Sequence, residues 1–188
     1  RPTIQASSPM GTRARIHDLS RSDPPLTHQH SDAKLMLPVL YSFRRRPYAA
    51  RARWALLEAG LLVPWREIEL RAKPAAMLEA SSKGTVPMLV LADGTVIEES
   101  LELMHWALAQ ADPRDCLGAG DPDPWVGEND GVFKHHLDRF KYSDRYPEAD
   151  RSTHQQEGRA ILKGWNDRIR AAGWLAGERM GLADAALW

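Results

Sequence analysis

The sequence lacks most of the features that assign a function quickly. Its 188 residues include one cysteine, Cys116, which excludes an intramolecular disulfide and a paired-thiol metal site and fits a reducing compartment. Neither charge is in excess, with 25 Lys plus Arg against 25 Asp plus Glu, so no net field recruits nucleic acid, an anionic membrane or an acidic substrate. No apolar run reaches the roughly 18 residues of a membrane-spanning helix, and no apolar stretch near the N-terminus suits a signal peptide. Internal repeats and low-complexity tracts are missing too. These absences lead to the expectation of a soluble cytoplasmic protein with neither nucleic-acid nor membrane partners. What is present, 43% apolar and 27% charged residues, suffices for one sizeable core or two small ones.

Residues 1–36 are rich in Arg, Ser, Asp, Pro and His and show no apolar periodicity. Burial cannot offset the entropy of ordering them, so a disordered leader is expected, with Met36 as a candidate natural start. A basic arm built on Arg13, Arg15 and Arg21 is the alternative. From Leu37 to Phe43 the short apolar, aromatic run reads as a buried strand. A helix follows, with Pro47 suited to its first turn and Gly60 to its stop. Val63 to Leu70 alternates as a half-exposed strand, and Pro74 to Ala80 reads as a short helix. Two strands, MLVL and TVIE, flank Ala92-Asp93-Gly94 as a hairpin, because Asp-Gly tolerates positive φ. Ser100 is then expected to cap a helix carrying Leu101, Met104, Ala107 and Leu108 on one face.

This order, βαβ then ββα over residues 37–112, with Pro87 immediately before the third strand, is that of a thioredoxin-like α/β domain with a mixed four-stranded sheet. Residues 113–124 hold three prolines and two glycines and read as a linker. Residues 125–188 read as an all-α domain, with long helices near Trp125–Tyr146 and Thr153–Ala172, and as incomplete, since the sequence ends shortly after a new helix start at MGLADAAL. There Gly181 stands where a capping side chain is wanted, leaving Asp184 to do half of a capping box. A helix cut short is expected to expose apolar surface and lower stability.

Three motifs in order resemble the glutathione S-transferase family, in its bacterial Cys-Pro-Tyr-type subgroup. LYSFRRRPYAARARWALLEAG is similar to the family's first strand and helix, SSKGTVPMLVLADGTVIEES to its glutathione-binding segment, and ENDGVFKHHLDRFKYSDRY to the first helix of its all-helical domain. The resemblance implies a cis Pro87 and reduced glutathione as co-substrate, bound by Lys83, Thr85, Val86, Pro87, Glu99 and Ser100. It also implies a small electrophile in the cleft between domains, a homodimer and a detoxification role. The chemistry of the second motif is legible in itself. A residue before a cis proline offers its backbone N–H and C=O to an extended peptide. A Glu-Ser pair at a helix start can meet an ammonium and a carboxylate. Lys83 is placed either to reach the glycyl carboxylate or to stay solvated.

The first motif departs from the family. Arg46 stands where relatives carry the catalytic cysteine, whose thiolate a helix N-terminus favours. A guanidinium has no sulfur and stays protonated, so thiol-disulfide reductase chemistry is not expected. Arg46 then either stabilises the thiolate of glutathione itself or ends catalysis by pointing to solvent or blocking the sulfur site. Tyr48 and Ser42 are further candidates for donating a hydroxyl to that thiolate, and Cys116 is not placed near it. Arg51 and Arg53 read as solvated or structural ion-pair residues, and Trp106, Trp165 and Trp174 as packing residues. Arg139, Lys141 and Tyr142 are candidates for lining the cleft. His135 and His136, on adjacent helical positions about 100° apart, do not face each other, so no metal site is expected.

Overall fold

The computed structural model describes residues 37–187, and the expected leader therefore lies outside the described residues. The apolar run after Met36 forms β1 (Val39–Ser42), whose last three residues are buried. At Pro47 the chain turns into α1 (Pro47–Glu58), with extended Arg46 as N-cap and proline in the first turn, where its missing N–H costs nothing. The crossover returns to β2 (Trp65–Glu67), which pairs parallel to β1 with Leu40 opposite Trp65. All three β2 residues are exposed, because β2 is an edge strand. After α2 (Ala75–Ala80) come β3 (Met88–Val90) and β4 (Val96–Ile97), antiparallel neighbours joined by a turn in which Gly94 holds φ at +88°. β3 also pairs antiparallel with β1, Leu40 opposite Leu89, giving the mixed sheet order β2-β1-β3-β4. This is the thioredoxin-like arrangement that the element order predicts, and the Val86–Pro87 peptide is cis.

One face of the sheet is covered by α1 and by α3 (Ser100–Gln110). Small Ala52 and Ala55 on α1 let Leu103, Met104 and Ala107 of α3 approach closely, over Leu40 and Leu89 of the sheet. The same apolar cluster runs on into Cys116, Val126, Leu182, Ala185 and Ala186 without a break. The other face holds Tyr41, Ile68, Met77 and Met88. Between α3 and α4 (Asp123–Glu128) the irregular segment is pinned by Asp112, whose carboxylate accepts from the Cys116 and Leu117 amides, both at 2.8 Å.

The helix expected over Trp125–Tyr146 is not uniform. It comprises α4, a π-helical segment Asn129–Phe133, α5 (Lys134–Lys141) and a 3₁₀ turn Ser143–Arg145. The last two helices are the long α6 (Arg151–Ala172), capped by the Asp150 carboxylate on the Ser152 amide, and the short α7 (Leu182–Ala186). At α7 the half capping box is made as expected, with the Gly181 N–H donating to Asp184 Oδ2 at 2.9 Å. The other Asp184 oxygen accepts from the Leu175 amide, also at 2.9 Å. Trp165 is buried on the inner side of α6, edge-on to Phe133, and donates its indole N–H to Glu128 at 2.5 Å.

Arg51 departs from the solvated alternative, because it is 3% exposed. Its guanidinium makes a two-bond fork to Asp130 at 2.7 and 2.8 Å, and its Nε donates to the Ala186 carbonyl at 2.6 Å. The wider π turn is what carries Asp130 into this position. The histidine pair also departs from its expectation. α5 packs on α6, where His154 faces the pair, and the His135 and His136 rings lie 5.2 Å apart, centroid to centroid. The 100° offset of adjacent Cβ atoms does not prevent two long, rotatable imidazoles from converging.

Removing the buried arginine leaves Asp130 and the Ala186 carbonyl without their shared donor. Arg51→Met is expected to cost about 3 kcal/mol. Arg51→Lys, which keeps the charge but not the fork, is expected to cost about half as much. Urea unfolding followed by tryptophan fluorescence measures both, as a lower midpoint at unchanged slope.

Candidate active site

Two adjoining cavities open beside the start of α1. The first, of about 670 Å³, is lined by Lys83 to Pro87 on one side and Glu98 to Leu101 on the other. Gly84, with φ at +55°, makes the turn that delivers Thr85 and Val86 to the edge of β3. Pro87 is buried, Val86 half-buried and Thr85 exposed. Among the described residues no backbone hydrogen bond engages the Val86 N–H or C=O, which leaves both for an extended ligand. Opposite them stands the N-terminus of α3, which no side chain caps. Its first free N–H groups and the positive end of its dipole border a cavity suited to a carboxylate.

Structure and sequence differ at Ser100. It was expected to cap α3, but it is the first helical residue and Glu99 is the N-cap, so the buried Ser100 hydroxyl is not spent on the helix. Lys83 is exposed but paired. Its ammonium lies 3.2 Å from Glu99 and 3.5 Å from Glu98, and those carboxylates, the Glu99 hydrogen bond first, raise its pKa. Glu98 in turn accepts from the Ser81 hydroxyl. The candidate binding residues therefore converge on one cavity, with Lys83 joined to its acidic rim.

The second cavity, of about 550 Å³, lies between the start of α1 and the face of the π segment and α5. Arg46, Tyr48, Leu70 and Asp130 line both cavities. Arg46 is exposed and enters no ion pair among the described residues. Tyr48 carries the Arg51 guanidinium 4.7 Å above its ring. Burial, then the negative Asp130, pushes the Tyr48 pKa above its ordinary value, against the opposing pull of Arg51 and Lys134. The phenol is therefore protonated at neutral pH, with the Asp130 carboxylate competing for its hydroxyl as a hydrogen-bond acceptor.

Ser42 does not share this position. It is fully buried and accepts from Arg53 at 2.7 Å, so it lines neither cavity. Of the three candidates for lining the cleft, Lys141 and Tyr142 do so and Arg139 does not. Arg45, Arg145 and Tyr146 do, and the sequence reading missed them. Arg45 lies in the Arg44-Arg45-Arg46 run. Arg145 and Tyr146 belong to a 3₁₀ turn and its end, where helical periodicity gives no facing direction. Asp130 was missed because only its pairing with Arg51 turns it inward.

Residues 40–115 match the family model described as Glutathione S-transferase, N-terminal domain. Comparison with curated protein sequences finds no match. Among solved structures the chain is similar to a delta-class glutathione transferase of Nilaparvata lugens, at 18% identity and TM-score 0.68 over 80% of this chain and 75% of that one. It is also similar to glutathione transferase Omega 3C of Trametes versicolor, at 22% identity and TM-score 0.67 over 81% and 70% of the two chains. A glutathione S-transferase I bound with lactoylglutathione aligns at 20% identity and TM-score 0.64 over 81% and 80%. At these identities the structures speak to the fold, a thioredoxin-like sheet followed by a helical region. The family match thus covers the N-terminal part of the described chain, and the neighbours share the fold of the whole described region.

Cys116 is fully buried in the main core and lines neither cavity. Burial first, then the nearby Asp112 and Glu58 carboxylates, push its thiol up to about 11. A thiol that is neutral and enclosed is expected to resist iodoacetamide at pH 8 in the folded protein and to react within minutes once urea unfolds it. Mass spectrometry of the alkylated chain reads this directly, and fast labelling without urea would refute it.

Proposed function

We propose that the protein is a glutathione transferase that binds reduced glutathione between Val86 and the start of α3 and joins it to a small electrophile in the neighbouring cavity. The observation that carries this reading is that Arg46 and Tyr48 line both cavities at once. In this reading residues 37–112 form the glutathione-binding domain, 113–124 the linker and 125–188 the helical domain. Val86 pairs with the peptide backbone of glutathione, flanked by Thr85 and Pro87. Ser100 and the first amides of α3 receive a carboxylate, while Glu99 and Glu98 face the ammonium. A detoxifying role, a cytoplasmic location and a homodimer accompany the reading as the family's usual setting.

The nucleophile is the sulfur of glutathione, since Arg46 supplies none. A thiol of ordinary pKa about 8.5 is mostly protonated at neutral pH, and nearby positive potential shifts it toward thiolate. Two sources of that potential meet here, the Arg46 guanidinium and the uncapped N-terminus of α1. Tyr48 adds a neutral hydroxyl as hydrogen-bond donor. The thiol proton passes to solvent, the thiolate attacks the electrophilic carbon, a C–S bond forms, and the leaving group departs with its electron pair. On the acceptor side Arg45, Lys141 and Arg145 join Arg46 without a carboxylate partner among the described residues, and Tyr142 and Tyr146 offer aromatic faces. An aromatic acceptor bearing an anionic group matches this lining best.

Retention on immobilised glutathione tests the binding half, and conjugation of a general aryl halide tests the chemistry. Arg46→Ala is expected to lower kcat/KM about tenfold, equivalent to about 1.4 kcal/mol. It is also expected to move the alkaline rise of the pH profile upward, because losing the cation raises the thiol pKa. Arg46→Cys is expected to gain thiol-disulfide exchange. Unchanged rate and pH profile in Arg46→Ala would remove the thiolate-stabilising role. Retention without turnover would leave a glutathione-binding protein without transferase chemistry.

A further inference from the structure

Away from both cavities, three imidazoles meet on the seam between α5 and α6. His135 and His136 come from the first turn of α5 and His154 from the first turn of α6. Each offers a nitrogen, and these atoms lie within 4.8 Å of one another. His136 Nδ1 and His154 Nδ1 are 2.9 Å apart, and the three ring centroids are separated by 5.1 to 5.5 Å. His136 and His154 are half-buried and His135 is exposed. None of the three lines either cavity, so transferase chemistry does not account for them.

Packing alone does not account for the trio. A hydrogen bond between two Nδ1 atoms links His136 and His154 through one nitrogen each, but it gives no reason for a third polar ring to lean against them. We propose that His135, His136 and His154 form a binding site for a divalent late-transition metal ion of the zinc, nickel or copper class, which cross-links α5 to α6. Imidazole nitrogens are borderline ligands that suit these ions and not magnesium or calcium. With metal–nitrogen bonds of about 2.0–2.1 Å, two ligands stand about 2.9 Å apart at a right angle and about 3.3 Å apart at a tetrahedral one. The His136–His154 spacing already falls in that range. His135 reaches it by side-chain rotation at an exposed position. Three protein ligands leave at least one coordination position for water.

The neighbours leave the approach open. The Arg139 guanidinium, one turn along α5, is held 4.6 Å over the Tyr146 ring and donates to the His135 backbone carbonyl, not to an imidazole nitrogen, at 3.4 Å. Asp150, one turn before His154, is engaged in capping α6 through the Ser152 amide and the Thr153 hydroxyl. It supplies a negative charge next to the site without acting as a ligand. The residue opposite His136 on α6 is Gly158, so no side chain there stands between the helices.

Calorimetric titration of the full, chelator-washed chain with Zn²⁺ and Ni²⁺, in the presence of excess Mg²⁺, tests the site. One ion is expected to bind per chain, and the melting temperature is expected to rise with Zn²⁺ through preferential binding to the folded state. His154→Ala and the exposed His135→Ala are each expected to weaken binding at least about tenfold and to abolish the Zn²⁺-dependent rise. Because His154→Ala also removes a hydrogen bond, circular dichroism without metal establishes that each variant is folded, and His135→Ala carries the test if it is not. A triple His17→Ala, His28→Ala, His30→Ala variant controls for the histidines outside the described residues and is expected to bind as the parent does. Failure of the parent to bind, binding that survives His135→Ala, or binding lost with His17, His28 and His30 would each overturn the site.

Discussion

The fork between buried Arg51 and half-buried Asp130 fixes the geometry on which the candidate site depends. One guanidinium joins three elements, because it sits on α1, grips the π segment through Asp130 and holds the C-terminal end of α7 through the Ala186 carbonyl. Only arginine combines a planar two-bond fork with a third donor directed elsewhere. Removing the Arg51 charge from water costs more than a single contact returns, so such a pair is weak evidence for stability as such. Its effect here is positional. With Arg51 anchored and stacked on Tyr48, the first turn of α1 is held against the π segment, and Arg46 and Tyr48 border both cavities together.

Much of the sheet was legible in the sequence because its determinants are local. Apolar runs of strand length, a proline at a helix start and an Asp-Gly turn need no knowledge of the rest of the chain. The candidate binding residues were legible for the same reason, as a short segment around Thr85-Val86-Pro87 and another at Glu99-Ser100. What escaped depends on partners far along the chain. Arg51 meets Asp130 and Ala186, 79 and 135 residues away, and nothing in the charge pattern of α1 marks one arginine as inward. The π segment escaped because its 3-and-4 spacing of apolar residues reads as an ordinary helix. The convergence of His154 on His135 and His136 escaped because it is set by how α5 lies on α6. The assignment of Ser100 as a cap failed by a single residue, which is the usual uncertainty at a helix end, yet that shift frees its hydroxyl for the cavity.

Helix starts differ in their caps, and a missing cap does not by itself mark a cavity, since α2 and α4 also lack one and line neither. α6, which borders neither cavity, begins with a full side-chain cap from Asp150. α7 begins with half of one. α1 and α3, whose starts line the cavities, have no side-chain cap, although one is worth about 1 kcal/mol. An uncapped terminus inside a cavity keeps its N–H groups and its positive end of the dipole available to an anion. On the α3 side that anion is a carboxylate in the proposed reading, and on the α1 side a thiolate.

Arg46 sharpens this reasoning. Cations are disfavoured at a helix N-terminus by about 0.3–1 kcal/mol, since the dipole presents its positive end there. The start of α1 nonetheless carries three arginines in a row, Arg44 to Arg46, none in an ion pair among the described residues. Glu67 approaches this turn, but it accepts the Arg44 backbone amide at 2.6 Å and neutralises no guanidinium. Arg53 lies behind the turn with its donors on Ser42 and the Arg44 carbonyl, adding positive charge to the same corner. Folding stability gives no reason to gather cations at a dipole end that repels them. An anion received from outside does, and the cavity that Arg46 shares between its two halves is where the geometry lets one enter.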